Sequence, residues 1–134
     1  MFPKDSNILV IDDDPLTITV ARKILTDLGF TNLFQASNGA FGFELLEEIY
    51  KENKTIDLIL LDREMPEMTG TQFLIQLRGE GRYSKIPVIM STSVNDFKDV
   101  TQAIMFGVSE YLVKPLTPEL VESKLRSVWS RVHH

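Results

Sequence analysis

Short apolar runs alternate with longer stretches of helical periodicity along the whole chain. Each run has the length of a single strand, and the segment after it repeats its apolar residues every three or four positions. The predicted strands are residues 7–11, 33–36, 57–61, 87–91 and 110–113. The predicted helices are residues 15–28, 39–49, 70–77, 95–105 and 117–132.

Strict alternation of five strands and five helices predicts an α/β fold. The third run is an almost continuous series of Leu and Ile, which indicates a strand covered on both faces. Right-handed crossovers then give a doubly wound parallel sheet with helices on both faces. Because no composition shift, repeat or linker divides the chain, we expect one domain over residues 1–134, with its core at about 7–132.

Polar and charged side chains stand where four of the predicted strands end. They are Asp12 and Asp13, Asp62, Thr92 and Lys114. Ligands of an open parallel sheet bind at the carboxyl ends of the strands, so all of these side chains are predicted to share one site.

Carboxylates gathered in one cleft repel each other unless a cation joins them. Mg²⁺ suits such a cluster, because it prefers hard oxygen ligands and keeps positions open for water and phosphate. Lys114 adds a positive charge and Thr92 a hydroxyl donor, which together could neutralise an incoming phosphoryl group. The nucleophile would be a carboxylate, giving an acyl phosphate. The pattern therefore predicts phosphoryl transfer at a Mg²⁺ site.

Each of these residues also has an ordinary structural explanation when taken alone. An acidic triplet can form a turn, and Asp14 is the best placed of the three to cap the helix beginning at Pro15. Lys114 could be a surface lysine, and Thr92 could cap a turn. Only their matching topological positions favour the functional interpretation.

Composition narrows the function classes further. The net charge of -5 offers no basic footprint, so direct binding to nucleic acid is not expected. Cysteine is absent, and neither a membrane-length apolar run nor a secretory signal is seen, so we expect a cytoplasmic protein without membrane contact. His133 and His134 are interpreted as a tag remnant or a frayed end.

Four ordered motifs resemble those of the response-regulator receiver domain of two-component signalling. They are ILVIDDDP at 8–15, DLILLDREMPEMTG at 57–70, PVIMST at 87–92 and YLVKP at 111–115. The resemblance covers about residues 7–132 and is of the chemotaxis-regulator type. It implies a flavodoxin-like sheet with strand order 2-1-3-4-5. It also implies a cis peptide bond between Lys114 and Pro115.

The resemblance assigns roles to the site residues. Asp62 would be the phosphoacceptor. Asp13, Asp62 and the backbone carbonyl of Glu64 would bind Mg²⁺ directly, and Asp12 would act mainly through coordinated water. Lys114 would contact the phosphoryl group. Such a domain is a signalling switch that promotes only its own phosphorylation and dephosphorylation, and is not an enzyme acting on other substrates.

The resemblance also implies a conformational switch. Thr92 would turn inward to bond a phosphoryl oxygen, and Tyr111 would turn from exposed to buried, unless it is an ordinary edge-strand aromatic. The surface formed by the fourth helix, fifth strand and fifth helix would change. The phosphoryl group would come from a phosphohistidine on a histidine kinase or a histidine phosphotransfer protein docking near the first helix. The sequence identifies neither the downstream target nor whether a homodimer forms.

Several positions depart from the usual family pattern. Glu64 and Val94 stand two residues after Asp62 and Thr92, at positions that influence the lifetime of the phosphorylated state, and their combination leaves that lifetime open. Arg63 is expected to be exposed, where it could touch a kinase or pair with Glu64. Leu116 stands where many relatives carry an aromatic residue.

Three alternatives remain at this point. An FMN carrier would share the topology, but the acidic residues after the first strand would repel a phosphate lacking a metal. A small-molecule phosphatase with an Asp nucleophile would suit the acidic Glu64, but the length leaves no obvious cap domain. A receiver-like docking module would not need the charged residues that are present. The sequence does not separate a stand-alone receiver from one excised from a longer regulator.

Overall fold

Within residues 1–93 and 97–133, which the computed structural model describes, five parallel strands form a sheet. The strands are β1 (Asn7–Ile11), β2 (Asn32–Ala36), β3 (Leu58–Asp62), β4 (Val88–Thr92) and β5 (Glu110–Val113). Their order is β2-β1-β3-β4-β5, and every neighbouring pair is parallel. The predicted fold class and strand order are confirmed.

Five helices accompany the strands in this described part of the chain. They are α1 (Pro15–Asp27), α2 (Gly39–Lys51), α3 (Gly70–Gly79), α4 (Phe97–Met105) and α5 (Pro118–Val132). The predicted start of the fourth helix at residues 95–96 lies outside the described residues, as does Val94.

Apolar side chains cover both faces of the sheet in two separate clusters. On one face, Leu9 and Ile59 pack with residues of α2, α3 and α4. On the other face, Ile8 and Leu60 pack with residues of α1 and α5. All residues of β3 and β4 are buried, because these central strands are covered on both sides. The buried central strands therefore hold the side chains at their carboxyl ends in fixed positions.

Side-chain caps fix where the helices begin at the carboxyl edge of the sheet. Asp14 accepts a hydrogen bond from the Leu16 amide at 3.1 Å, as predicted, and Pro15 occupies the first turn of α1. Thr69 begins α3 with a capping box, in which its hydroxyl and the Gln72 side chain each bond the other residue's backbone. These caps hold the loops that follow β1 and β3.

The strands β3 and β4 end one residue later than the apolar pattern predicts. Their last residues are Asp62 and Thr92, so both belong to the sheet ladder. The ladder continues past them, since the Arg63 amide bonds Ser91 O at 2.9 Å and the Lys114 amide bonds Thr92 O at 2.7 Å. The polar side chains are thus held by paired backbone.

Glu110, the first residue of β5, fastens α5 to the sheet. Its carboxylate accepts hydrogen bonds from Lys124 at 3.2 Å, Ser127 at 2.9 Å and Arg131 at 2.9 Å. Although burial opposes the change, the hydrogen bonds from Ser127 and the Tyr111 amide lower the pKa of Glu110. This anchor positions the strand that carries Tyr111 and leads to Lys114.

No helix in the described part of the chain is long and apolar enough to cross a membrane.

Candidate functional site

Three carboxylates meet at the carboxyl edge of the sheet. Asp12 and Asp13 directly follow β1, and Asp62 ends the neighbouring strand β3. One ligand oxygen from each lies within 4.8 Å of the others. Asp12 and Asp62 are each 2% exposed, whereas Asp13 is exposed. The cluster is therefore buried at its base and open to solvent on one side.

Lys114, which directly follows the edge strand β5, contacts two of these carboxylates. Its Nζ lies 3.0 Å from Asp12 Oδ2 and 3.1 Å from Asp62 Oδ1. The Lys114–Pro115 peptide bond is cis, the isomer that the family resemblance implied. Within the described residues, Lys114 is the cation that pairs with both buried carboxylates of the cluster.

The electrostatics of Asp62 reflect this crowding. Burial, with the nearby Asp12 and Asp13 carboxyl groups, raises the pKa of Asp62 to about 7, against the opposing effect of Lys114. Burial alone would lower the pKa of Lys114, but its hydrogen bonds to Asp12 and Asp62 raise it. One ammonium faces three carboxylates, so the cluster retains excess negative charge. A further cation could be held there by hard oxygen ligands.

Thr92, the last residue of β4, has a side-chain hydrogen-bond partner in the loop after β3. Its side chain is fully buried, and its hydroxyl donates a hydrogen bond to Glu64 Oε1. The Glu64 amide in turn bonds Asp62 Oδ1 at 3.3 Å. The sequence identified Thr92 as a site residue but did not reveal Glu64 as its side-chain partner.

Arg63 differs from the expectation that it would be exposed. Its side chain is only 23% exposed, because its guanidinium lies between two carboxylates. NH2 is 2.8 Å from Asp99 Oδ1 in the first turn of α4, and NH1 is 3.6 Å from Glu64 Oε1. Pairing with Glu64 was one of the two alternatives that the sequence suggested, but the shorter pair with Asp99 was missed. An acidic residue in the first turn of the helix after β4 was the available signal.

Tyr111 is partly buried on β5, beside Met90 of β4. Its ring packs against the apolar cluster beneath α2, α3 and α4. Its hydroxyl is buried and lies near the Thr92 side chain. Burial raises the pKa of Tyr111 against the opposing effects of the Thr92 side chain and Arg63, and the carboxylates of Asp99 and Glu64 add to this rise. The ring therefore borders the same charged side chains that surround Thr92.

Two cavities help to locate the site. One of about 380 Å³ lies beside the cluster and is lined by Asp12, Asp13 and Arg22. A larger one of about 630 Å³ lies at the opposite edge of the sheet, near Asp57 and Trp129. The smaller cavity is the better candidate, because it adjoins the buried Asp12 carboxylate and the carboxyl ends of β1 and β2.

Fold and site together define a doubly wound α/β protein whose carboxyl edge concentrates acids around a lysine. The family model of the response regulator receiver domain matches residues 8–126. The chain therefore belongs to the family of response regulator receiver domains, which are signalling switches.

Individual relatives agree with this assignment. The chemotaxis protein CheY homolog of Campylobacter jejuni is 32% identical over 121 residues, covering 90% of this chain and 90% of its own length. The crystallized chemotaxis protein CheY4 of Vibrio cholerae superposes with a TM-score of 0.80 at 27% identity, covering 92% of this chain and 98% of its own. The CheX-CheY-BeF3-Mg+2 complex of Borrelia burgdorferi gives a TM-score of 0.83 at 27% identity, covering 92% of this chain and 89% of the matched chain.

Proposed function

We propose that this receiver accepts a phosphoryl group on Asp62 from a phosphohistidine of a histidine kinase or a histidine phosphotransfer protein. The observation that carries the proposal is the position of the Asp62 carboxylate. It ends the central strand β3, is 2% exposed, and lies 3.1 Å from the Lys114 ammonium. When a carboxylate in that position attacks phosphorus, the neighbouring ammonium can offset the negative charge of the phosphoryl oxygens.

The transfer is a displacement at phosphorus. An Asp62 carboxylate oxygen attacks, the bond from phosphorus to the histidine nitrogen breaks, and its electron pair stays on the imidazole, which takes up a proton. Acetyl phosphate would serve as a small donor, with acetate as the leaving group. Attack of water on phosphorus then regenerates the carboxylate and releases inorganic phosphate. The domain promotes only these two reactions of its own side chain.

The residues present suit Mg²⁺ as the cofactor. Asp13, Asp62 and the backbone carbonyl of Glu64 would hold the ion directly, and Asp12 would act mainly through coordinated water. All of these donors are hard oxygens, and Asp62 carries a pKa raised to about 7 among carboxylates that a single lysine does not balance. When bound, Mg²⁺ supplies positive charge that offsets the negative charge of the phosphoryl oxygens.

Lys114 and Thr92 complete the site on the protein side. Lys114 would move part of its hydrogen bonding from the carboxylates to a phosphoryl oxygen. Thr92 would exchange its hydrogen bond with Glu64 for one to another phosphoryl oxygen, and Tyr111 would turn further into the space beside β4. These movements would alter the surface of α4, β5 and α5, and a partner that binds this altered surface better would shift the population.

Partners follow from the same chemistry. In the Borrelia complex, CheY is bound together with CheX, BeF3 and Mg²⁺, which supports a regulated protein contact for a chemotaxis-type receiver. A kinase or phosphotransfer protein would bring its phosphohistidine to the carboxyl edge, near α1. With such partners, we expect the domain to act in the cytoplasm.

The proposal is tested by locating the acyl phosphate. The protein is incubated with acetyl phosphate and Mg²⁺, then reduced with borohydride, and the modified peptide is identified by mass spectrometry. We expect modification at Asp62 and none in Asp62→Asn. Asp57→Asn is the matched control, because Asp57 is an exposed carboxylate that immediately precedes β3, at the opposite edge of the sheet from Asp62. Modification at another residue, or turnover of phosphorylated metabolites, would contradict the proposal.

A further inference from the structure

Polar contacts connect the Thr92 hydroxyl to the first turn of α4. Thr92 donates to Glu64 Oε1, and that oxygen lies 3.6 Å from Arg63 NH1. Arg63 NH2 lies 2.8 Å from Asp99 Oδ1. The side chains of Arg63 and Asp99 are only 23% and 20% exposed, so water screens this pair less than a surface pair. We call the Glu64, Arg63 and Asp99 contacts the Arg63 bridge.

The loop that carries the bridge is held closely to the phosphoacceptor strand. The Arg63 amide bonds Ser91 O at 2.9 Å, and its carbonyl accepts the Gly70 amide at 3.0 Å. The Glu64 amide bonds Asp62 Oδ1 at 3.3 Å. A change of charge at Asp62 therefore acts directly on Glu64, whose carboxylate is one of the two partners of Arg63.

The far end of α4 has a separate attachment. Arg78 of α3 donates to Gly107 O from Nε at 3.0 Å and from NH2 at 2.8 Å. Its NH1 bonds Ser84 O at 3.1 Å and Ile86 O at 2.6 Å, so the same guanidinium also holds the loop before β4. With its carboxyl end fixed in this way, α4 is expected to adjust mainly at its first turn, where the bridge lies.

We propose that the Arg63 bridge is a latch that holds α4 in the unphosphorylated arrangement and is released when Asp62 is phosphorylated. The inference rests on the proposed function of Asp62. A phosphoryl group would compete for the Thr92 hydroxyl and repel the Glu64 carboxylate. Movement of Glu64 would remove one of the two carboxylates that hold the Arg63 guanidinium beside Asp99. Arg63 and Asp99 are thus positioning residues that couple the site to α4.

Linkage makes the latch measurable in both directions. A contact that stabilises the latched arrangement by a given factor must weaken the affinity for a phosphoryl mimic by the same factor. Breaking the bridge should therefore tighten the binding of beryllofluoride in the presence of Mg²⁺. It should also loosen α4 before any ligand is added.

Two variants test this with opposite effects on local charge. Arg63→Gln removes a positive charge and Asp99→Asn removes a negative one, but both break the ion pair. We expect each to bind beryllofluoride about two- to fivefold more tightly than the parent, the range for a partly exposed ion pair. Plain electrostatics predicts the opposite pattern for Arg63→Gln, which would weaken anion binding. A change in the same direction for both variants is therefore specific to the latch.

Amide hydrogen exchange of α4 gives the second measurement. In the parent, beryllofluoride with Mg²⁺ should speed exchange in α4. In both variants, exchange should already be fast without the ligand and should change little when it binds. Asp27→Asn is the control, because it removes a carboxylate from the exposed Lys23–Asp27 pair on α1 and should behave like the parent.

Opposite affinity changes in the two variants, or an α4 response to beryllofluoride equal to that of the parent, would overturn the latch. The outcome is separate from the proposed function. If the parent binds no beryllofluoride and Asp62 accepts no phosphoryl group, the function itself fails. If the parent binds and the variants do not differ from it, only the latch fails.

Discussion

Replacing Asp62 with Asn should stabilise the metal-free protein, even though it removes the proposed phosphoacceptor. The carboxyl group of Asp62 is 2% exposed and its pKa is raised from 3.8 to about 7. The Asp62 carboxyl group therefore binds its proton more tightly in the folded protein than in the unfolded chain. Ionisation of Asp62 consequently lowers the free energy of unfolding as the pH rises through this interval.

The magnitude follows from the two pKa values. At about 1.4 kcal/mol per pKa unit, the interval from 3.8 to about 7 corresponds to an upper limit of about 4 kcal/mol. Lys114 also contacts Asp12, so it keeps a partner when Asp62 becomes neutral. We expect Asp62→Asn to raise the free energy of unfolding by about 2–4 kcal/mol at about pH 8, with little gain at about pH 4.

Urea denaturation in EDTA across this pH range measures the gain, with Asp57→Asn as the control that should show none. Adding Mg²⁺ should shrink the gain, because a bound cation would stabilise the parent's carboxylate. A gain independent of pH, or a loss of stability at about pH 8, would refute the reasoning that crowding of buried carboxylates raises the pKa of Asp62.

Three further substitutions test the surroundings of the site. Gly70→Ala would place a Cβ 2.3 Å from the Asp62 carbonyl oxygen, so we expect a loss of about 3 kcal/mol or more in denaturant unfolding. Glu110→Gln should cost about 1–2 kcal/mol near neutral pH. That cost should shrink as the pH falls through the lowered pKa of Glu110, because its ionised form supplies the stability that is lost there. Thr92→Ala should still accept the phosphoryl group, but phosphorylation should raise its affinity for the partner less than in the parent.

Each of these predictions has a result that would contradict it. Gly79→Ala is the control for the first, since nothing lies within 4 Å of its added Cβ, and equal losses in both variants would remove the argument from close approach. For Glu110→Gln, a loss in free energy of unfolding that stays the same at acidic pH would show that the ionised Glu110 carboxylate is not the source of the lost stability. For Thr92→Ala, an affinity gain equal to that of the parent would contradict its role in the switch.

The positions of the site residues along the sheet could be predicted from sequence, because strand periodicity fixes where each strand ends. Asp12, Asp62 and Lys114 follow from that pattern and from the parallel topology. The cap formed by Asp14 also follows, since it depends only on neighbouring residues. Local patterns of this kind are read directly from the chain.

The side-chain partners at the site could not be predicted in the same way. Whether Arg63 reaches Asp99 depends on its side-chain torsions and on how α4 lies against β4. The hydrogen bond from Thr92 to Glu64 likewise depends on the path of the loop after β3. Such contacts join residues far apart in sequence, and neither hydrophobic period nor spacing specifies them.

Intact mass spectrometry after incubation with acetyl phosphate tests the central claim most directly. The parent and Asp62→Asn are compared, each with and without Mg²⁺. We predict a mass increase of one phosphoryl group only in the parent and only with Mg²⁺, lost on mild hydrolysis. An adduct that persists in Asp62→Asn would mean that another residue is the acceptor. No adduct under any condition would contradict phosphoryl transfer and favour a docking module that keeps the acidic cluster without using it.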